Sequence, residues 1–312
     1  DGEYTPDDVI EWVKRLDASH MVFLDHMRSM SLIDPRSGKP EWSAELSKED
    51  RPNFQVEMKP GTPILAACTS LFEPGDKGRR WTRYSLEYPV PEAYKRAHKA
   101  TGKFTPLSIA ISESSEPGWL SAGLPLDFAN TLPISLNAQF DPDLSRRGVR
   151  QLKWNEWLFN RLAALTAGVV IHRFEHDPKT GWQAIPLREE NAVDEDWTES
   201  QIEELIAKVQ EHVKGKLRLA IERESVGLSD ISFPAAEVAR LLSEVDQATL
   251  QPEFTALPRD QKDKAGRWRN VLEELGEGYR FSVRDALQLL DLDETEFGAR
   301  TEKWFLDLAD EA

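Results

Sequence analysis

The chain has 312 residues, with 39 Lys+Arg against 55 Asp+Glu, 40% hydrophobic and 30% charged residues, and one cysteine, Cys68. That composition describes a folded globular protein with a core, not a disordered chain, and one thiol excludes an internal disulfide framework and a Cys-rich zinc site. Apolar runs reach about half a dozen residues, against the roughly 20 a membrane-spanning helix needs. The acid excess is uneven: residues 189–312 hold 15 Lys+Arg and 30 Asp+Glu, which leaves 24 and 25 for residues 1–188. An acidic C-terminal surface repels phosphate backbones, so nucleic acid is not an expected partner. Asp1-Gly2-Glu3-Tyr4 has neither a basic start nor an apolar core, so no signal peptide is expected, and the missing initiator Met suggests a piece of something longer. The lone thiol fits a reducing, cytoplasmic setting.

In chain order, Thr5-Pro6-Asp7-Asp8 reads as a cap, a first-turn proline and first-turn acids, followed by Val9, Trp12, Val13 and Leu16 at helical spacing. Ser19 is placed to cap a second helix with Met21, Leu24, Met27 and Met30 on one side. Residues 32–60, rich in proline and glycine, predict short strands with turns. Residues 63–68 predict a buried strand holding Cys68 as a small hydrophobe, 81–88 a strand, 91–100 a helix and 106–111 a strand. Residues 132–140 predict a strand, Asp141–Gly148 a tight loop, and from Val149 a long helix carries Trp154, Trp157, Leu158, Leu162, Leu165 and Val169. A second helix is expected at about 198–217, and beyond Gly227 an acidic, mainly helical part. The alternation gives an α/β fold: a mixed sheet layered by helices, followed by a mainly helical C-terminal part. Three regions are expected: 1–60 a helical opening with short strands, 61–187 an α/β domain with a long connecting helix, and 188–312 the acidic part.

Most chemistry-bearing groups read as ordinary. His172 and His176 share a helix face at i,i+4, but no third ligand stands at a fixed spacing and the pattern is not His-Glu-x-x-His, so no metal is expected. Asp194-Glu195-Asp196 and Asp291, Asp293, Glu294 and Glu296 read as solvated acids, the latter run lacking a calcium loop's glycine. There is no Gly-x-Ser-x-Gly elbow and no glycine-rich phosphate loop. The informative stretch is residues 143–155. Ser145, Arg146 and Arg147 stand between a strand and a helix, where an arginine fork and helix-start N–H groups suit a phosphate. The plainer reading is two solvated arginines.

Leu132–Phe140, Leu144-Ser145-Arg146-Arg147 and Trp154-Asn155-Glu156-Trp157-Leu158, preceded by Gly123-Leu124-Pro125, resemble sacsin-like proteins. In that family such a segment follows a nucleotide-binding domain of the GHKL class. The region is also similar to the middle domain of the ninety-kilodalton heat-shock chaperones, whose Ser-Arg-Glu segment sends its arginine to the ATP γ-phosphate. The similarity spans roughly residues 5–175, including the opening helices. It implies a ribosomal S5 domain 2-like middle domain, a transducer coupling the ATP state of an N-terminal domain to a client or partner. Arg146 would contact the γ-phosphate, with Arg147 or Lys153 as alternatives and Ser145 beside the nucleotide; Arg147 departs from the chaperones' Glu. The chain has no Asp-x-Gly-x-Gly loop, so it is expected to bind no cofactor alone, with ATP and Mg belonging to the full-length protein. The implied partners are the N-terminal ATPase domain and a protein client, with no membrane, and the reading admits a homodimer. Two competitors stand beside it: a non-catalytic protein-interaction module, and a hydrolase using paired carboxylates.

Overall fold

The computed structural model describes residues 10, 17–33, 37–59, 61–75, 78–97, 102–114, 117–128, 132–176, 181–187, 196–221, 224–230, 232–234, 267–276 and 279–281. Its contacts divide the chain into two units, residues 1–169 with 188–209 and residues 170–187 with 210–312. The first helix expected near the N-terminus and most of the acidic region beyond Gly227 lie outside the described residues.

The first unit is built on a seven-stranded mixed sheet in the order β3-β4-β5-β6-β9-β7-β8. Strands β3 (Ser47–Lys59), β4 (Thr62–Phe72), β5 (Arg80–Pro89) and β6 (Phe104–Ser112) form an antiparallel meander. Helix α1 (Glu92–Ala97) lies between β5 and β6. The chain then makes β7 (Leu120–Ala122) and β8 (Leu124–Pro125), and returns as β9 (Ile134–Ala138) between β6 and β7. β9 is antiparallel to β6 and parallel to β7, so the fold is mixed α/β. A separate hairpin, β1 (Ser29–Ile33) with β2 (Pro40–Glu45), precedes the sheet.

Period-two alternation sorts residues onto two faces. On one, Val56, Ala66, Cys68, Tyr84, Leu86, Tyr88, Leu107, Ile109 and Leu136 are buried. Helix α2 (Lys153–His176) supplies Trp154, Leu158, Phe159, Leu162 and Leu165 to the buried core. Its aromatics meet Tyr88 of β5 and Phe140 just past β9: the ring of Trp157 lies 6.0 Å from Tyr88, and that of Phe159 lies 4.8 Å from Phe140. At Gly168 the helix packs tightly on the sheet: an added Cβ would stand 1.9 Å from Cγ2 of Val56.

The opposite face carries a smaller cluster in which Ala18, Met21, Val22, Leu46, Leu71, Trp81 and Ala110 are buried. Here the expected second helix does not form. Asp17 caps a single 3-10 turn, Ala18–Met21, and Met30 belongs to β1. The reason lies in the carbonyls. Val22 O accepts from Arg83 Nη1 at 3.1 Å, and Leu24 O and Asp25 O accept from Lys48 Nζ at 2.7 and 2.9 Å. Leu24 O also accepts Met27 N–H at 3.3 Å, a turn bond from three residues on in place of the helical bond from four. Burial, reinforced by Arg83 and Arg28 and opposed by Asp25, pushes the Lys48 ammonium down. The proline-rich stretch 32–60, expected as short strands, instead contains the 13-residue β3, with register shifts between Arg51 and Phe54 and between Glu57 and Lys59.

An ion cluster fastens the opening turn to the β4–β5 connection. Arg79 pairs with Glu73 at 2.7 Å and Asp17 at 3.0 Å, and its guanidinium lies 5.3 Å from the Trp81 ring centroid. Burial alone would raise the Asp17 carboxyl, but hydrogen bonds from His20, Ser19 and Arg79 outweigh it and hold the group well below its usual 3.8. Glu73 is held below 4.5, chiefly by its hydrogen bond from Arg79 and against the effect of burial.

In the second unit Phe174 meets Trp182 edge-on at 5.0 Å. Helix α3 (Trp197–Val213) runs from the first unit into the second. Gln210, in its last turn, donates to Pro186 O at 3.3 Å and to Glu274 at 2.5 Å. Glu274 lies on α4 (Arg267–Leu275), whose Val271, Leu272 and Leu275 are buried. The strands here form two small pairs: antiparallel β10 (Arg218–Ile221) with β11 (Glu224–Gly227), and parallel β12 (Ser232–Pro234) with β13 (Tyr279–Phe281).

Two expectations follow. At an ordinary helix position Gly→Ala stabilises by about 0.5–1 kcal/mol. At Gly168 the approach to Val56 reverses the sign: Gly168→Ala should destabilise by about 1–3 kcal/mol in urea unfolding, and Val56→Ala in the same chain should recover part of that loss. The two depressed carboxylates contribute stability above their unfolded values and lose it as pH falls through the folded ones. Unfolding midpoints should therefore drop from pH 5 downward, and Arg79→Met should flatten that acid dependence while raising the Asp17 pKa in an NMR titration.

Candidate functional site: an arginine-bearing hairpin

The chain leaves β9 through Gln139 and Phe140, forms a loop, and enters α2 at Lys153. The helix begins four residues later than the expected start at Val149, because Val149 is committed elsewhere. It bridges Pro142 in an antiparallel pair and donates its N–H to Thr198 Oγ1, on α3, at 3.1 Å. Residues 142–149 are thus a closed hairpin. A side chain at Gly148 would meet that same Thr198 oxygen at 2.6 Å, so glycine is what lets the hairpin reach α3.

Asn155 anchors the hairpin. The residue is fully buried, and its amide is bonded on both sides. Oδ1 accepts Asp141 N–H at 2.9 Å, and Nδ2 donates to Asp141 O at 2.9 Å and Arg150 O at 2.8 Å. One side chain in the first turn of α2 thereby fixes both stems of the hairpin. Beside it, Trp154 Nε1 donates to Gln139 O at 2.8 Å.

Asp143 organises the tip. Its Oδ1 accepts Ser145 Oγ–H at 2.8 Å and Arg147 N–H at 3.2 Å, and its carbonyl accepts Arg146 N–H at 3.3 Å. Those hydrogen bonds, Ser145's first, keep the exposed Asp143 carboxyl below its usual range. Ser145, expected beside a nucleotide, is exposed and spends its hydroxyl bracing the turn.

Arg146 is exposed and has φ +57°, alone among the described non-glycine residues in being left-handed. That conformation costs an L-residue about 1–2 kcal/mol. Asp127 N–H donates to its carbonyl at 2.8 Å, and among the described residues its guanidinium makes one long bond, Nη2 to Leu124 O at 3.4 Å. Gly123-Leu124-Pro125 and Arg146-Arg147, quoted above as separate parts of a resemblance, are therefore neighbours in space. Arg147 is 77% exposed and lies 3.9 Å from the equally exposed Asp127, a pairing worth little. Lys153 is exposed at the first position of α2. Arg150 pairs with Asp141 at 3.2 Å. Chemically, the hairpin is a braced platform carrying two forked cations whose donors are largely unspent, a geometry suited to an anionic oxygen group.

Sequence reasoning located the loop and its arginines but missed the roles of Asn155, Thr198 and Asp127. An Asp followed two residues later by Ser is a legible turn signature; a buried amide clamp has no local pattern. Asp194, Glu195, Asp291, Asp293, Glu294 and Glu296 lie outside the described residues. His172 and His176 sit near the end of α2.

Asn155→Ala should cost about 2–4 kcal/mol, since Asp141 N–H and Arg150 O would lose their partner in a dry site. Urea unfolding measures the loss, and amide exchange should rise over 141–150.

No protein-family model matches the chain, and neither the curated proteins nor the solved structures give a significant match.

Proposed function

We propose that this chain is the middle, transducer-like region of a sacsin-like, chaperone-related ATPase of the cytoplasm. In this reading the first unit is a ribosomal S5 domain 2-like middle domain. Its role is to couple the ATP state of an N-terminal nucleotide-binding domain to engagement of a protein client. Arg146 carries the coupling. In the closed state its guanidinium meets the γ-phosphate of ATP held with Mg by the other domain, and Arg147 and Lys153 add positive charge nearby.

The observation that supports the reading best is the backbone at Arg146. Glycine or asparagine would occupy a left-handed position with less strain, yet an arginine stands there, outward and almost unengaged. The hairpin beneath it is pinned by a fully buried amide, so the guanidinium is presented from a stiff base. Such preorganisation suits a group that must meet charge developing on a phosphate. Helix α2 continues from that base as a single rod to His176, a plain route for mechanical coupling.

The interaction-module reading has its own support at the same tip: Leu144 is wholly exposed and Leu124 is 54% exposed, flanking the arginines with apolar surface. Both readings meet in one protein if the tip is where the ATPase domain docks. The hydrolase reading finds less. A general acid needs a raised carboxyl, whereas the described carboxylates with a resolved shift, Asp17, Glu73 and Asp143, are all held low.

Arg146→Gly separates function from folding. In the protein with its ATPase domain it should leave unfolding free energy within about 1 kcal/mol of the parent, because relief of strain offsets glycine's entropy. It should lower ATP turnover on the order of tenfold or more, with Arg146→Lys retaining part of the rate. Turnover equal to the parent in Arg146→Gly removes the assigned role.

A further inference from the structure

The end of α2 brings together three groups that the ATPase-coupling reading does not use. His172, Glu175 and His176 stand at i, i+3 and i+4, on one face of the helix. One ligand atom from each lies within 4.8 Å of the others, and the two imidazole centroids are 4.2 Å apart. The sequence reading of the histidine pair stopped for want of a third ligand; Glu175 supplies it.

Three features favour a metal over a chance grouping. The first is the tautomer of His176. Its Nδ1 lies 2.8 Å from the backbone oxygen of His172. A carbonyl oxygen only accepts, so Nδ1 is the donor in that contact, which in the neutral ring leaves Nε2 as the lone-pair nitrogen, the arrangement that orients metal-bound imidazoles. The second is charge. Glu175 is exposed and brings a carboxylate, and the C-terminal end of a helix is the negative end of its dipole. The third is ligand type. Two imidazoles and a carboxylate select borderline ions such as zinc over magnesium or calcium. Arg173 lies beside the set and opposes a cation, which makes the site weaker than a four-ligand structural one.

The geometry points to a divalent transition-metal site, with zinc the best match, formed by His172, Glu175 and His176 and leaving the remaining coordination positions to water or an incoming ligand. Bonds of about 2.0–2.2 Å require the ligand atoms to draw in from their present spacing, and rotation of the exposed Glu175 and His176 side chains toward the half-buried His172 does this without moving the backbone.

The test is titration of the chain with Zn2+ by calorimetry, alongside Co2+ followed by visible absorption and Mg2+ as the hard-cation comparison. One Zn2+ should bind per chain. His172→Ala and His176→Ala should each weaken binding at least tenfold and Glu175→Gln should weaken it less, while His26→Ala, at an exposed histidine elsewhere, should leave it unchanged. Far-UV circular dichroism checks that each variant keeps its helix content; for any that does not, the milder His176→Asn replaces it with the same expectation. Bound Co2+ should show d–d bands of a nitrogen and oxygen site without a thiolate charge-transfer band. Zinc binding equal to the parent in both histidine variants, an equal loss in His26→Ala, or Mg2+ competing at similar concentration overturns the assignment.

Discussion

The buried amide of Asn155 is the constraint on which the rest of the candidate site depends. A carboxamide offers two donors and an acceptor in one plane, and here they close on the strand exit and the helix approach together. No apolar residue of similar size could do this, because Asp141 N–H and Arg150 O would then lose the hydrogen bonds the amide makes to them. Nor could aspartate, which has no donors and would carry charge into a site that water does not reach. Once those stems are fixed, Asp143 need only shape a short tip, and the backbone at Arg146 is forced into the conformation it shows.

The sheet separates two kinds of stabilisation. Its α2-facing side is apolar and aromatic, with Tyr88, Tyr94, Trp154 and Trp157 in successive contact. The other side holds a small apolar cluster whose rim is fastened by side-chain cations, Lys48, Arg79 and Arg83, acting on carbonyls and carboxylates. The first kind is insensitive to protons; in the second, the pairs to Asp17 and Glu73 weaken in acid. Arg83 shows how tight that rim is: it is 8% exposed, bonds Val22 O and Asp25, and among the described residues has no hydrogen-bond partner at Nε.

The strongly periodic elements were legible in the sequence. β5, β6, β9, α2 and α3 fall where alternation and helical spacing put them, because each buries one face against a neighbour and that burial is written into every second or every third-to-fourth residue. The order of strands was not legible. Nothing local says that β9 inserts between β6 and β7, since pairing partners are chosen by the completed sheet. The second opening helix failed for a similar reason. Met21, Leu24, Met27 and Met30 have helical spacing, but cations 24 and 61 residues downstream claim the carbonyls. At the candidate site the exposed arginines were visible, and the buried amide, the threonine from another helix and the left-handed backbone were not, being properties of the assembled packing.

The place of β9 also bears on the order of assembly. The meander β3 to β6 joins neighbours in sequence, and its loop closures are short. β9 must pass over the segment that makes β7 and β8 before it finds its slot, and Asn155 can grip its two stems only after α2 has settled on the finished sheet. The arginine hairpin thus rests on contacts remote in sequence, and its charged tip has a fixed base only where β9, the start of α2 and Thr198 of α3 are all in place.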